Sequence, residues 1–334
     1  MLDTDLLHAV DVAILRRRGL VERLLREGTD CFRVFHGVAE GAPGLAIDRY
    51  GPLLLIQTWR APLSHDDAET LSAHVQQALG LPLHCVANHR IGPGKFGAHM
   101  PTEAALQEHV CKEGGLSFLV QARHRGQDPW LYLDLRQGRA AVRNLAKNRA
   151  VLNLFAYTCG VGVTAAAHGA LESINVDFAQ TALAVGQNNA EKNNIRGARF
   201  STVASDCIPI LRQLAGKPVL RRGREFRFVK FAPRPFDLVF LDPPRWAKGP
   251  FGAVDVARDY ASLFKPCVLT LAEGGIVIAT NHVPEVSATD FASQLRRIAE
   301  KAGRPLKELD LLPVDEDFPA FDGSPPLKVA VCRV

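Results

Sequence analysis

Four short stretches carry side chains that could do chemistry. The most specific is Asp242-Pro243-Pro244-Arg245-Trp246, which follows the apolar run Phe236–Leu241. Two prolines fix φ and remove two N–H donors, so the backbone carbonyls there stay available to a substrate. An acid followed by Pro-Pro and an aromatic sets hydrogen-bond acceptors beside a flat surface on which a nucleobase can stack. The second stretch is Ala156-Tyr157-Thr158-Cys159-Gly160-Val161-Gly162, after the apolar run Val151–Phe155. Its residues 160–165 fit G-x-G-x-x-A, the dinucleotide fingerprint. Four residues separate the strand from Gly160, however, where a dinucleotide site would put the first glycine almost on the strand. The longer loop suits a ligand without a pyrophosphate, and S-adenosylmethionine is one. Third, Asp177 ends the run Glu172–Val176, where a carboxylate can accept from ribose hydroxyls or cap the next helix. Fourth, Asp206 follows Arg199–Ala204 and fits either an adenine contact or a helix N-cap.

Residues of this kind need a frame. From about residue 150 apolar strand candidates alternate with amphipathic helix candidates over short links. This predicts an α/β fold with a doubly wound, mostly parallel sheet. Seven strands are expected, at Val151–Phe155, Glu172–Val176, Arg199–Ala204, Phe236–Leu241, Gly275–Thr280, Leu306–Leu312 and Leu327–Cys332. The last two have no helix between them and predict a terminal antiparallel hairpin. In such a sheet ligands bind at the carboxyl ends of the strands, near the switch point. Residues 1–125 read differently. A helix over Asp5–Arg26 precedes short strands at Cys31–Val38, Gly44–Asp48 and Leu53–Thr58, with Ile91–Met100 as a loop. The division expected is a small α+β domain, 1–125, and a Rossmann-like catalytic domain, 126–334.

Composition excludes several classes. The 334 residues carry 47% hydrophobic and 22% charged side chains, the balance of an ordinary globular protein. No run of 18 apolar residues occurs, so no membrane span is expected. The acidic start lacks a signal pattern, which predicts a cytoplasmic location. Seven scattered cysteines form no C-x-x-C pair, so neither a disulfide framework nor a metal site is expected. The formal charge of +5 is unevenly placed. Between residues 212 and 235 eight Lys/Arg, among them Arg221, Arg222 and Arg224, face only Glu225, so this window is +7 and the remainder −2. A second stretch, Arg123–Arg149, sets seven basic residues against Asp128 and Asp134. Such clustering suggests a polyanionic partner, nucleic acid above all. The alternation of Phe226, Phe228 and Phe231 with Arg227 and Lys230 suggests a hairpin strand over 225–231.

In this order, the motifs resemble those of the S-adenosylmethionine-dependent methyltransferases of bacterial large-subunit ribosomal RNA. The likeness spans roughly residues 28–334. It rests on Gly44-Leu-Ala-Ile-Asp-Arg-Tyr-Gly51, Tyr132-Leu-Asp-Leu-Arg136, Val151–Gly160, Asn188–Asn194 and Asp242–Trp246. The resemblance implies a class I methyltransferase sheet, S-adenosyl-L-methionine as cofactor and RNA as partner, with room for a homodimer. It implies Tyr157, Thr158 and Gly160 at the methionine end of the cofactor, Asp177 at the ribose and Asp206 at the adenine. Asp242, Pro243 and Pro244 would face the transferable methyl, Asp134 and Arg136 would pack against the cofactor, and Trp246 would stack the base. The cytosine-5 members carry a PUA-type RNA-binding module, expected here to be absent, and a cysteine after strand five that attacks the pyrimidine. This chain has Ala279-Thr280-Asn281-His282 there. Asn281 resembles the asparagine of the guanine-N7 group, which implies non-covalent N-methylation of a base. Rival readings are a methyltransferase of a protein or small molecule, a dinucleotide-dependent oxidoreductase, and an RNA-binding protein without catalysis.

Overall fold

Leu53-Leu54-Leu55-Ile56 is apolar at four successive positions, and all four are buried. A strand with both faces covered reads this way, and it is the centre of the first of two units. The computed structural model describes residues 3–92, 95–98, 102–124, 128–219, 229–249, 252–323 and 325–334. Unit 1 comprises Met1–Asp134 and Asp315–Gly323; unit 2 comprises Leu135–Val314 and Ser324–Val334. The sequence-based expectation was a single boundary at residues 125–126.

Unit 1 runs α1 (Thr4–Arg16), α2 (Arg18–Arg26), β1 (Cys31–His36), β2 (Leu45–Tyr50), β3 (Leu53–Thr58), α3 (His65–Leu79), β4 (His84–Gly92), β5 (Lys95–Ala98), α4 (Thr102–Leu106), β6 (His109–Glu113) and β7 (Leu116–Val120). Strands β1 to β5 pair in chain order, with only β3 and β4 parallel, across the α3 connection. Two expectations are corrected here. The helix expected over Asp5–Arg26 breaks at Arg17, whose buried guanidinium pairs with Glu40 at 2.7 and 2.9 Å. The loop expected over Ile91–Met100 holds the end of β4 and all of β5. The segment 315–323 joins this unit through Asp317, which accepts the Arg33 N–H at 2.9 Å on its carboxylate and Arg17 Nη2 at 3.2 Å on its backbone carbonyl.

Unit 2 runs α5 (Arg136–Leu145), β8 (Ala150–Leu154), α6 (Gly160–Ala167), β9 (Glu172–Asp177), α7 (Gln180–Lys192), β10 (Phe200–Ala204), α8 (Cys207–Leu214), β11 (Phe236–Leu241), β12 (Trp246–Gly249), β13 (Gly252–Asp255), α9 (Ala261–Thr270), β14 (Leu271–Asn281), α10 (Ala288–Lys301), β15 (Glu308–Leu312) and β16 (Lys328–Arg333). The seven-stranded sheet has the order β10-β9-β8-β11-β14-β16-β15. It is parallel except for β16, which is antiparallel to both neighbours, as the helix-free ending predicts. Residues of α5 and α6 pack into one core, those of α8, α9 and α10 into another. Gly252–Asp255 is a strand paired with Trp246–Gly249, and although the sequence pattern predicts a helix over Val254–Leu271, α9 starts only at Ala261. The hairpin expected over 225–231 falls largely outside the described residues.

Candidate active site

The order of the parallel strands lays the suspected residues in a row. From one edge inward, the carboxyl ends of β10, β9, β8, β11 and β14 bring Asp206, Asp177, the 155–160 loop, Asp242 and Asn281 along one side of the sheet. The chain leaves β8 toward β9 and β10, then returns to β11 on the other side. The switch point therefore lies between the 155–160 loop and Asp242.

The loop after β8 is wound tightly. Phe155, Tyr157 and Cys159 have φ of 57°, 49° and 59°, left-handed values at three alternate non-glycine residues. Such conformations cost of order 1–3 kcal/mol each and cluster at ligand sites. Hydrogen bonds hold the loop: Phe155 N to Cys207 Sγ at 3.2 Å, Tyr157 N to Asp177 Oδ2 at 2.8 Å and Cys159 N to Ala156 O at 2.7 Å. Asn189 Nδ2 donates to Thr158 O at 3.1 Å. Gly186 lets α7 pass against this loop, since a Cβ there would lie 2.4 Å from Cys159 Sγ. Gly160 opens α6 directly.

Asp177 accepts Tyr157 N on one oxygen and Ala179 N on the other, each at 2.8 Å. Burial raises its pKa above the ordinary carboxylate value, opposed by the backbone N–H groups it accepts. The Phe178 N–H also acts on this carboxylate, and of its roughly four acceptor sites at least one remains for a ligand hydroxyl. The next residue, Phe178, is 67% exposed at the same edge, an aromatic surface that the sequence reading did not single out. Ser205 N donates to Asp177 O at 2.9 Å, joining the loops after β9 and β10. Asp206 caps α8 through Ile208 N at 2.8 Å.

Asp242 is the centre of the other half. Its Oδ1 accepts the Thr280 hydroxyl and His282 Nε2, the latter at 2.8 Å. Burial pushes its pKa up, but His282, Thr280 and the charge of Arg139 outweigh it, so the carboxyl stays below its ordinary value. Pro243 is buried, whereas Pro244, Arg245 and Trp246 are exposed. Trp246 opens β12, opposite Asp255. Arg245 pairs with Glu285 at 3.1 Å.

Asn281 is fully buried and points away from solvent. Its Oδ1 accepts Val283 N at 2.8 Å, and its Nδ2 has no hydrogen-bond partner among the described residues. Lys328, opposite Asn281 on β16, donates to Val283 O at 2.6 Å and Pro326 O at 2.7 Å. The partly exposed member of this turn is His282, weighed from sequence as a base for an exocyclic amine or, more readily, as a structural residue. A histidine after a strand has no local signature, and its partner lies 40 residues away.

No thiol offers itself as a nucleophile here. All seven cysteines are free and six are buried. Burial pushes the thiols of Cys111, Cys159, Cys207 and Cys267 above their ordinary value, Cys85 up to about 11 and Cys332 up to about 12. Among the described residues no group of three or more His, Cys, Asp or Glu could hold a metal, and no helix is long and apolar enough to cross a membrane. Of the basic stretch Arg123–Arg149, three members, Arg123, Arg136 and Arg139, are buried, while Arg143, Lys147 and Arg149 are not. Arg221, Arg222 and Arg224 lie outside the described residues.

Comparison with known proteins agrees with this architecture. A family model for S-adenosylmethionine-dependent methyltransferases matches residues 56–333. Ribosomal RNA large subunit methyltransferase I of Shigella dysenteriae serotype 1 is 26% identical over 99% of this chain and 82% of its own length. An S-adenosylmethionine-dependent methyltransferase structure from Streptococcus mutans superposes with a TM-score of 0.79 at 22% identity, covering 100% of this chain and 82% of that one. Another methyltransferase structure, solved in complex with SAH, gives a TM-score of 0.78 at 22% identity over 98% of this chain and 82% of that one.

Proposed function

Since the chain belongs to the S-adenosylmethionine-dependent methyltransferase family, we propose that it methylates ribosomal RNA, by non-covalent transfer to a base nitrogen, with guanine N7 as the acceptor. The observation that carries the reading is Asp242-Pro243-Pro244 at the switch point, with the exposed indole of Trp246 beside it. This is a surface for a flat base next to fixed acceptors. The name of the curated relative supports ribosomal RNA as the polymer.

The residues present fit the cofactor. The left-handed loop at Tyr157, Thr158 and Gly160 would hold its amino-acid end, and Asp177 its ribose hydroxyls. Asp206 would take the adenine amino group, with the exposed Phe178 ring as its stacking surface. When bound, S-adenosylmethionine supplies an electrophilic methyl on sulfur. The protein's own part is positioning. It holds the base in line and excludes water, which by itself accounts for large rate factors.

Two features support a nitrogen that has no proton to lose. Covalent cytosine chemistry needs a thiolate, and Asn281 stands where one is required. Asp242 is held ionised below the ordinary carboxylate value, which makes it a good hydrogen-bond acceptor and a weak base. Asn281 then serves by fixing the turn through Val283 rather than by touching the base.

The test is mass mapping of ribosomal RNA from a strain lacking the gene, together with methyl transfer by the purified protein. Loss of one 7-methylguanosine, restored in vitro, is the expected result. Loss of 5-methylcytidine would overturn the non-covalent reading. Methyl transfer to protein or a small molecule, with none to RNA, would overturn the substrate.

A further inference from the structure

Strand β3 is buried along its whole length, Leu53 to Thr58, and the chain leaves it through two exposed residues, Trp59 and Arg60. Trp59 keeps 44% of its surface exposed, although an aromatic side chain of this size gains much from burial. The residue is nonetheless held in place. Its N–H donates to Gly44 O at 2.9 Å. Thr58 pairs with His89 across the parallel strands, which sets Arg90 of β4 beside Trp59. The Arg90 guanidinium carbon lies over the indole, 5.7 Å from its centre, within the range of a cation–π contact. Arg90 is fixed in turn by Gln57 Oε1 at 3.0 Å and by Asp128 at 3.6 Å. Arg60 is placed by packing: Gly44 has a φ of 96°, and a Cβ there would lie 2.8 Å from Arg60 Cγ. Among the described residues the Arg60 guanidinium makes no hydrogen bond or ion pair.

We propose that this part of unit 1 binds single-stranded RNA, with Trp59 stacking one unpaired base and Arg60 contacting an adjoining phosphate. The inference rests on the RNA reading above and extends it, since the contacts proposed there belong to unit 2. A base offers its face to an indole only where it is free of its neighbours in a duplex. Every base has such a face, so the contact selects strandedness rather than sequence. Cations beside the ring attract the phosphates on either side of the stacked base. Arg90 shares its charge with Asp128, so Arg60 supplies the uncommitted one. The next acids along the chain, Asp66 and Asp67, sit in the first turn of α3. An indole with guanidinium groups beside it, in sequence and across the strands, combines a stacking face with charge for phosphate. That combination favours a single strand over a protein partner.

The experiment measures the affinity of the full chain for a mixed-sequence single-stranded RNA, and for the same strand paired with its complement, over a range of salt concentrations. Trp59→Ala is expected to weaken single-strand binding about five- to a hundredfold, the range of one stacked base, while duplex binding and the salt slope stay as in wild type. Trp59→Phe, which keeps a stacking face, is expected to recover part of the loss. Arg60→Ala is expected to reduce the slope of log affinity against log salt by about 0.7, one phosphate of a single strand. Circular dichroism and S-adenosylhomocysteine affinity should match wild type in all three variants. Wild-type single-strand affinity in Trp59→Ala would overturn the proposal and leave the ring to a protein partner; an equal loss for the duplex would overturn it as well. A wild-type chain that binds neither RNA would instead overturn the RNA reading beneath it.

Discussion

A Cβ placed on Gly162 would lie 1.8 Å from Oδ1 of Asn175. Asn175 is fully buried on β9, accepting Asn153 Nδ2 at 2.9 Å and donating to Ser201 O at 3.1 Å, so it has no room to yield. The second glycine of Gly160-Val-Gly-Val-Thr-Ala165 thus serves close packing of α6 on the sheet. It is not there to admit a pyrophosphate, the role of a second glycine in a dinucleotide loop. Gly162→Ala should cost about 1–3 kcal/mol, the usual penalty for overpacking. Adding Asn175→Ser should recover part of it, less the lost hydrogen bond to Asn153. Urea unfolding of the single and double variants measures both, and a Gly162→Ala chain as stable as wild type would contradict the packing account.

Strand-end acids were legible because each follows an apolar run, and strand ends in a parallel sheet share one edge. The terminal hairpin was legible because no helix could fit between its strands. Other features depend on contacts remote in sequence. Arg136 and Arg139 count as positive charge along the chain, yet at i and i+3 they share the inward face of α5. Asp317 looks like part of an acidic loop between two strands, but it is wholly buried among residues of unit 1. Asn281 could be matched by type and place, while its burial could not be read from either. The pairing that makes His282 interesting appears only once β14 lies beside β11.

Asp242→Asn keeps the shape of the side chain and removes the charge that Thr280 and His282 address. Methyl transfer should fall by about two orders of magnitude, the scale of losing one preorganised polar contact. S-adenosylhomocysteine affinity, measured by calorimetry, should change little, because the cofactor contacts proposed lie mainly on the β8, β9 and β10 ends. Stability gives a second readout. The folded pKa of Asp242 lies below its ordinary value of 3.8. Its ionisation therefore stabilises the fold above that pH, and the contribution is lost as pH falls below it. The asparagine variant should lack this acid-side loss.

In unit 1, burial and the neighbouring Arg33 push the His36 pKa down from 6.5 to about 4. The neutral ring accepts Arg33 Nη1 on Nδ1 at 2.9 Å. Between these two pH values the unfolded chain binds a proton that the folded chain does not, so stability falls as pH drops from about 6.5 toward 4. His36→Gln keeps an acceptor for Arg33 and cannot titrate. Chemical unfolding across this range should show a flatter pH dependence in the variant than in wild type. Equal slopes would mean that the charge state of His36 does not govern this part of the profile.

Two members of the basic window are already engaged within the fold. Arg212 donates to Pro218 O at 2.8 Å, and Arg234 pairs with Glu172 while its guanidinium lies 4.5 Å from the centre of the Phe236 ring. Their loss should act on stability. Arg221, Arg222 and Arg224 stand between these two in sequence, ahead of β11, and we propose them as phosphate contacts. Each phosphate contact contributes about 0.7–0.9 to the slope of log affinity against log salt. Replacing all three by alanine should weaken RNA binding at low salt and reduce that slope by about 2–3, with S-adenosylhomocysteine binding unaffected. An unchanged slope would move the RNA contacts elsewhere on the protein; no RNA binding by the wild type would favour a protein or small-molecule substrate for the same sheet.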